Sequence, residues 1–256
     1  MSVSQAEASE DAVLDGRLIL RQPLRGHRFG HDAILLAAAV SAVAGEHAVD
    51  LGSGVGAAGL ALARRVDGLA VTLVEIDPDL TALAASNAER NGLADRVRAV
   101  CLDVESSVAA FAAVGLPAAS AAHVLMNPPY NVAPQNPSSD PGRRSAHVGS
   151  HESLLAWLRA AARLLGARGV VTLIWRADGL PDLLGALAQD FGAVAILPLH
   201  PKPGAPAIRV LARAIKGSRA PVALLPGLLL ADADGKPTAQ AEAILRENAA
   251  LSVTGN

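Results

Sequence analysis

The chain has 256 residues, enough for one large α/β domain with a core of its own. Hydrophobic residues at 51% against 18% charged exclude a disordered chain, and with aromatics at 2% the core has to be built from Ala, Val and Leu. A net charge of −2 is no signature of a non-specific nucleic-acid binder, and the single cysteine, Cys101, excludes an internal disulfide framework. Residues 1–15 read as a flexible acidic arm, carrying Glu7, Glu10, Asp11 and Asp15 and no basic-then-apolar leader pattern. Residues 16–256 then read as one domain. Asp32 is placed to cap a helix over 33–44 that Gly45 ends. That apolar run is too short to span a bilayer, so a cytoplasmic location is expected.

From there strand-like runs alternate with helical patterns. Strand 48–51 precedes a helix to about residue 65. Strand 70–76 precedes a helix over 78–91, with Pro78 in the first turn and Gly92 as its stop. Residues 97–102 and 123–126 read as further strands, the former holding Cys101 as a buried structural thiol. A loop rich in Pro, Asn, Ser and Gly runs from 127 to about 150; loops of this length are often functional. Helix 152–165, strand 170–175, a helix near 180–191, strand 193–199 and a last strand over 207–215 follow, with a short helix over 238–248 in the tail. The alternation predicts a mainly parallel sheet with helices on both faces.

Two segments carry chemistry. Val49-Asp50-Leu51-Gly52-Ser53-Gly54-Val55-Gly56 lies where the first strand of this sheet turns into a helix, and glycines there let a ligand approach the backbone. Glu75 follows about 20 residues later, the spacing of a ribose-binding carboxylate. A dinucleotide site would want Gly where Ala57 stands, and has little use for Asp50. A sulfonium cofactor carries an amino group and a positive sulfur, which Asp50 suits, and Asp103 can accept from an adenine amine. Either acid alone would equally suit a cap or a turn; with Gly52, Gly54, Gly56 and Glu75 on successive strand ends the ligand reading is favoured.

The second segment is Leu125-Met126-Asn127-Pro128-Pro129-Tyr130, directly after the fourth of these strands. Prolines stiffen the loop and remove donors, leaving acceptors. The side-chain oxygen of Asn127 and the carbonyl of Pro128 can each take one hydrogen of a planar amine and turn its lone pair toward an incoming methyl. Tyr130 can stack on the planar group. His27 with His31, and His147 with His151, have helical spacing but no further ligands in pattern, so no metal is expected.

These motifs resemble those of Rossmann-like amino-methyltransferases that use S-adenosyl-L-methionine. The resemblance implies a seven-stranded, mostly parallel sheet with helices on both faces and an antiparallel last strand, here 207–215. The opening segment, Gln22-Pro23-Leu24-Arg25-Gly26-His27-Arg28-Phe29-Gly30-His31-Asp32, and the closing stretch from Pro198 through Lys216-Gly217 are similar to the bacterial tRNA-valine adenine N6-methyltransferase family. The similarity covers nearly the whole chain from Gly16. It implies a lid of Gln22, Arg28 and Phe29 over the cofactor, and transfer RNA as partner, with Arg25, Arg28, Arg143 and Arg144 on phosphates and Tyr130 on the base. A protein glutamine methyltransferase uses the same Asn-Pro-Pro-Tyr chemistry and is the alternative; such enzymes usually carry a helical domain ahead of the cofactor domain, for which little chain precedes Asp50. The altered glycine pattern and the proline motif argue against a nicotinamide-dependent oxidoreductase. A non-catalytic RNA-binding module would not need Asp50, Glu75 and Asn127 together.

Overall fold

The computed structural model describes residues 8–24, 28–129 and 151–254, the last beginning with two residues whose side chains are not described. In chain order the elements are β1 (Ala8–Val13), β2 (Leu18–Pro23), α1 (His31–Ala39), β3 (His47–Leu51), α2 (Ala57–Arg65), β4 (Ala70–Glu75), α3 (Pro78–Arg90), β5 (Val97–Cys101), α4 (Val108–Ala113), β6 (Ala121–Met126), α5 (His151–Leu164), β7 (Leu165–Arg176), α6 (Leu180–Leu187), β8 (Phe191–His200), β9 (Arg209–Lys216), β10 (Ala223–Leu224), β11 (Leu228–Leu229) and α7 (Ala239–Glu247).

Seven strands form the body of the sheet in the order β8-β9-β7-β6-β3-β4-β5, and β10 and β11 add two short parallel pieces along the outer edge of β8. β3 to β7 run parallel, and β9 is antiparallel to both β7 and β8. This is the expected Rossmann-like α/β fold, with the antiparallel strand seventh in sequence and inserted one place in from the edge.

Strand residues alternate between two apolar layers, as the period of two requires. Ala48, Leu125, Ile174 and Leu211 pack with α1, α2, α3 and α7 on one face. Val49, Val124, Leu173 and Ala212 pack with α4, α5 and α6 on the other. Both faces are covered, which is why the strands read as near-continuous apolar runs.

Several expectations are corrected. The flexible arm is, over Ala8–Val13, a strand paired antiparallel with β2. Its acids are not a solvated run: Glu10 bonds Arg90 at 3.0 Å and Asp11 bonds Arg28 at 3.0 Å. α1 starts and stops earlier than 33–44, with Gly30 at its N-cap and no side-chain cap. Asp32 lies in the first turn and meets Arg209 at 3.0 Å. The helix ends at Ala39 because Arg65 takes the Ala37 and Val40 carbonyls, at 2.6 and 2.8 Å, satisfying its last turn from outside. Cys101 is exposed, since β5 is the edge strand and its outward positions face solvent. α4, β10 and β11 have no counterpart among the predicted elements. Among the described residues no helix is long and apolar enough to cross a membrane, and no group of three or more His, Cys, Asp or Glu could hold a metal ion.

Candidate active site

The carboxyl ends of β3, β4, β5 and β6 bring Asp50, the glycine loop, Glu75, Asp103 and Asn127 to one end of the sheet. This is the end at which open α/β sheets take ligands. Leu51 and Met126 are register partners, so Gly52 and Asn127 leave adjacent strands side by side.

The loop after β3 turns on glycines in conformations that L side chains rarely adopt. Gly52 has φ +67° and Gly54 φ +57°. A Cβ on Gly54 would meet nothing within 4 Å, so its open face is available to a ligand. At Gly52 the space is taken instead by the six-membered ring of Trp157, from α5. Gly56 is the N-cap of α2 and has no side chain to cap it. Asp50 serves the helix from the preceding strand: its Oδ2 accepts from the Gly59 N–H at 2.9 Å. A carboxylate at a helix N-terminus is also favoured by the positive end of the helix dipole.

Asp50 is buried, and burial first, then the neighbouring charge of Glu75, raises its pKa to about 7 against the opposing pull of the Gly59 N–H. Glu75 is buried too. One of its oxygens accepts from the Gly54 N–H at 2.8 Å and the other from the Asp77 N–H at 3.0 Å. Each oxygen keeps a further lone pair for a ribose hydroxyl. Ile76 stands beside it with 60% of its surface exposed, an apolar face at a strand end where a purine ring can lie.

Asp103 lies just past β5, exposed, with Oδ1 accepting from the Glu105 N–H at 2.8 Å. It closes its own turn, and its second oxygen remains open to solvent or an amine. Asn127 is half-buried at the end of β6, Pro128 is buried and Pro129 half-buried. The Asn127 Oδ1 is buried and has no hydrogen-bond partner among the described residues. A buried acceptor without a donor is costly unless something supplies one.

The residues expected as a lid are placed differently. Gln22 is 3% exposed and both ends of its amide are engaged. Its Nε2 donates to Asp11 at 2.7 Å and its Oε1 accepts from the Phe29 N–H at 3.2 Å. Gln22 therefore ties the β1–β2 hairpin to the segment before α1, and Phe29 packs on the core beside α1. Arg28 is bound to the same Asp11 carboxylate. Arg25, His27, Tyr130, Arg143, Arg144 and His147 lie outside the described residues, as does the side chain of His151.

Two groups near the site carried no signal in the sequence pattern. Trp157 reads as one more apolar residue of an amphipathic helix. Asn87 and Asn91 read as ordinary polar residues of α3, but they bond the backbone of β2. Asn87 accepts from the Arg21 N–H at 2.8 Å and donates to the Arg21 carbonyl at 3.0 Å, while Asn91 does the same for Ile19 at 2.9 and 2.7 Å. Asn87 Nδ2 also reaches the Val55 carbonyl in the glycine loop, at 3.0 Å.

The family model described as Methyltransferase small domain matches residues 28–139, which hold every strand end just described. The tRNA1(Val) (adenine(37)-N6)-methyltransferase of Aeromonas hydrophila is 32% identical over 195 residues, covering 74% of this chain and 77% of that protein. The chain belongs to the S-adenosylmethionine-dependent methyltransferases. A release factor glutamine methyltransferase from Chlorobaculum tepidum is 30% identical over 162 residues, 58% of this chain and 52% of that protein, so the match spans about half of its length. The crystal structure of a predicted O-methyltransferase, Atu636 of Agrobacterium tumefaciens, superposes with a TM-score of 0.74 at 30% identity, covering 86% of this chain and 98% of that one. The methyltransferase uses S-adenosyl-L-methionine, and the donor set fits it: a carboxylate over an open glycine turn, an acid for a ribose and an exposed apolar side chain beside that acid.

Proposed function

We propose that this methyltransferase methylates a planar nitrogen, the exocyclic N6 amine of an adenine in transfer RNA. The observation that carries this is the Asn127 Oδ1, buried at the end of β6 beside the glycine loop with no donor among the described residues. An N–H of the substrate supplies the missing donor. The choice of RNA is supported by the relative that acts on tRNA, which matches over a larger share of both chains than the glutamine methyltransferase does. The opening segment from Gln22 to Asp32 supports it as well.

When bound, S-adenosylmethionine supplies an electrophilic methyl on a positive sulfur. Glu75 takes the ribose hydroxyls, and Asp50 lies where a cationic amino or sulfonium group lowers the energy of its ionised form. Asp103 can accept from the cofactor's adenine amine, and Gln22 fixes Phe29 and the chain before α1 against the β1–β2 hairpin. Asn127 Oδ1 and the Pro128 carbonyl accept the two amine hydrogens, which turns the nitrogen lone pair out of the ring plane. Held by Asn127 and Pro128, the nitrogen would take the methyl that the cofactor supplies, the cofactor leaving as a neutral thioether, and would release its proton to water. No strong base is required, because the proton becomes acidic once the nitrogen is alkylated. Catalysis is mainly positioning and electrostatics. Tyr130 stacks on the base, and Arg25, Arg28, Arg143 and Arg144 hold phosphates.

The test is methyl transfer from labelled cofactor into RNA and protein fractions of a strain lacking the gene, followed by mass spectrometry of nucleosides. N6-methyladenine in transfer RNA is expected, absent from the deletion strain. Methyl label in a protein glutamine, with transfer RNA unchanged, overturns the RNA assignment in favour of the amide. Asn127→Ala should keep the fold and most cofactor affinity and reduce single-turnover rate by about a hundredfold or more, the scale of a lost transition-state hydrogen bond. Near-normal turnover in the folded variant removes Asn127 from the mechanism.

A further inference from the structure

Trp157 lies outside both motif segments, yet it touches the glycine loop where that loop is tightest. It sits on α5 between Leu154 and Leu158, which are both buried, so helical spacing turns it toward the sheet. Its ring fills the space that a side chain on Gly52 would need: a Cβ there would lie 2.8 Å from Cζ3 and closer still to Cη2. Gly52 follows Leu51, the register partner of Met126, which precedes Asn127. Adjacent strands are about 4.8 Å apart, so the indole stands within a side chain's length of Asn127. Trp157 is half-buried, so part of it remains open to solvent.

We propose that Trp157 is a positioning residue whose indole forms the apolar wall against which the planar acceptor packs while Asn127 Oδ1 takes its N–H. This rests on the reading of the acceptor as a planar nitrogen group. A flat acceptor needs two constraints: an acceptor atom in its own plane and a surface that fixes the tilt of that plane. Asn127 supplies the first, and a large aromatic body beside it supplies the second. The same wall keeps water from the Asn127 oxygen, which strengthens the hydrogen bond made there.

The full-length enzyme is compared with Trp157→Ala and Trp157→Phe on the acceptor that the wild type methylates, whole transfer RNA first and a protein fraction otherwise. Trp157→Ala should lower the single-turnover rate by about tenfold or more, the scale of a lost stacking surface, and Trp157→Phe should restore most of it. Calorimetry with S-adenosylhomocysteine should give both variants a Kd within roughly threefold of wild type, since the wall acts on the acceptor. Should Trp157→Ala fail to fold, Trp157→Leu keeps apolar volume, loses the flat face and takes its place. The chain has two tryptophans, so Trp175→Phe leaves Trp157 as the sole tryptophan, whose emission is excited selectively at wavelengths Tyr130 does not absorb. Acrylamide quenching of that emission should fall when the acceptor joins the S-adenosylhomocysteine complex. Unchanged turnover in Trp157→Ala, or unchanged quenching on acceptor binding, overturns the inference. So does loss of S-adenosylhomocysteine binding in the Ala and Phe variants alike, which would make Trp157 a brace for the glycine loop. If wild type labels protein and not RNA, the RNA assignment fails while the Trp157 comparison is read on that protein.

Discussion

Burial raises the Asp50 carboxyl to a pKa of about 7, so its charge changes near neutral pH. An unfolded chain would ionise it near the ordinary aspartate value of about 4. Between those two values the folded state holds more protons than the unfolded one, so this group's contribution to stability falls as pH rises from about 4 to about 7 and is flat above. Asp50→Asn removes that dependence. The difference in Tm between variant and wild type, without cofactor, should therefore grow in the variant's favour across this window. Cofactor affinity should do the reverse. A cationic ligand favours the ionised carboxylate, so wild-type Kd for S-adenosylmethionine should tighten as pH rises through about 7, while Asp50→Asn binds more weakly and without that slope. Calorimetry at pH 5.5 to 8 reads both; a wild-type Kd that does not change with pH removes Asp50 from contact with the cation. The place of this acid at a strand end ahead of the glycine turn was legible, because an acid followed by three glycines is a local pattern. Its raised pKa was not, since that depends on burial beneath α2 and then on Glu75 brought beside it by β4.

At the scale of elements, two asparagines on a helix replace the missing neighbour of a strand. Asn87 and Asn91 are four apart, a rise of about 6 Å along a helix, and they serve Ile19 and Arg21, two apart along a strand and about 6.7 Å distant. The match lets α3 offer β2 a pair of amides in near register with its free edge. Because Asn87 also holds the Val55 carbonyl, the hairpin and the glycine loop share one side chain. Asn87→Ala removes three hydrogen bonds to backbone groups at a fully buried site and should cost about 2–4 kcal/mol, with Asn91→Ala, at a half-buried site, costing roughly half as much. Denaturant titration measures the difference, and cofactor affinity should fall in Asn87→Ala more than in Asn91→Ala. Equal, small effects in both would show that the hairpin is held by Leu18 and Leu20 alone. The hairpin escaped the sequence reading for a related reason: Ser9, Glu10 and Asp11 have no apolar alternation, and their strand exists because β2 and the side chains of Arg28 and Arg90 complete it. The β3 to β9 alternation was legible because those strands, the edge strand β5 apart, bury both faces. The Asn-Pro-Pro segment was legible because proline acts on its own neighbours in sequence. Trp157 was not, because only the crossing of α5 over Gly52 gives it meaning.

For the whole molecule, a ligand bound at the cofactor end of the sheet should stabilise the fold. A ligand at a hundred times its Kd adds about 2.7 kcal/mol to the folded state. For a chain of this size that corresponds to a rise in Tm of roughly 5–10 °C. S-adenosylmethionine and S-adenosylhomocysteine should both produce it, and a nicotinamide dinucleotide should not; the reverse result in a thermal melt would contradict the assignment of the cofactor.

The place of β9 has a consequence for how the chain is made. β8 reaches the body of the sheet only through β9, which leaves the ribosome after it. From the end of β7 to the end of β9 lie about 40 residues, some 2–8 s of synthesis at ordinary speeds. Throughout that interval the edge of β7 is open and β8 has no place in the sheet. The nascent chain passes through a stage in which two long apolar strands are available to any passing edge, and a chaperone that holds this stage will act late in translation, not early. Chains stopped at Gly204 should be retained by such a chaperone, and chains stopped at Ser218 should be released from it.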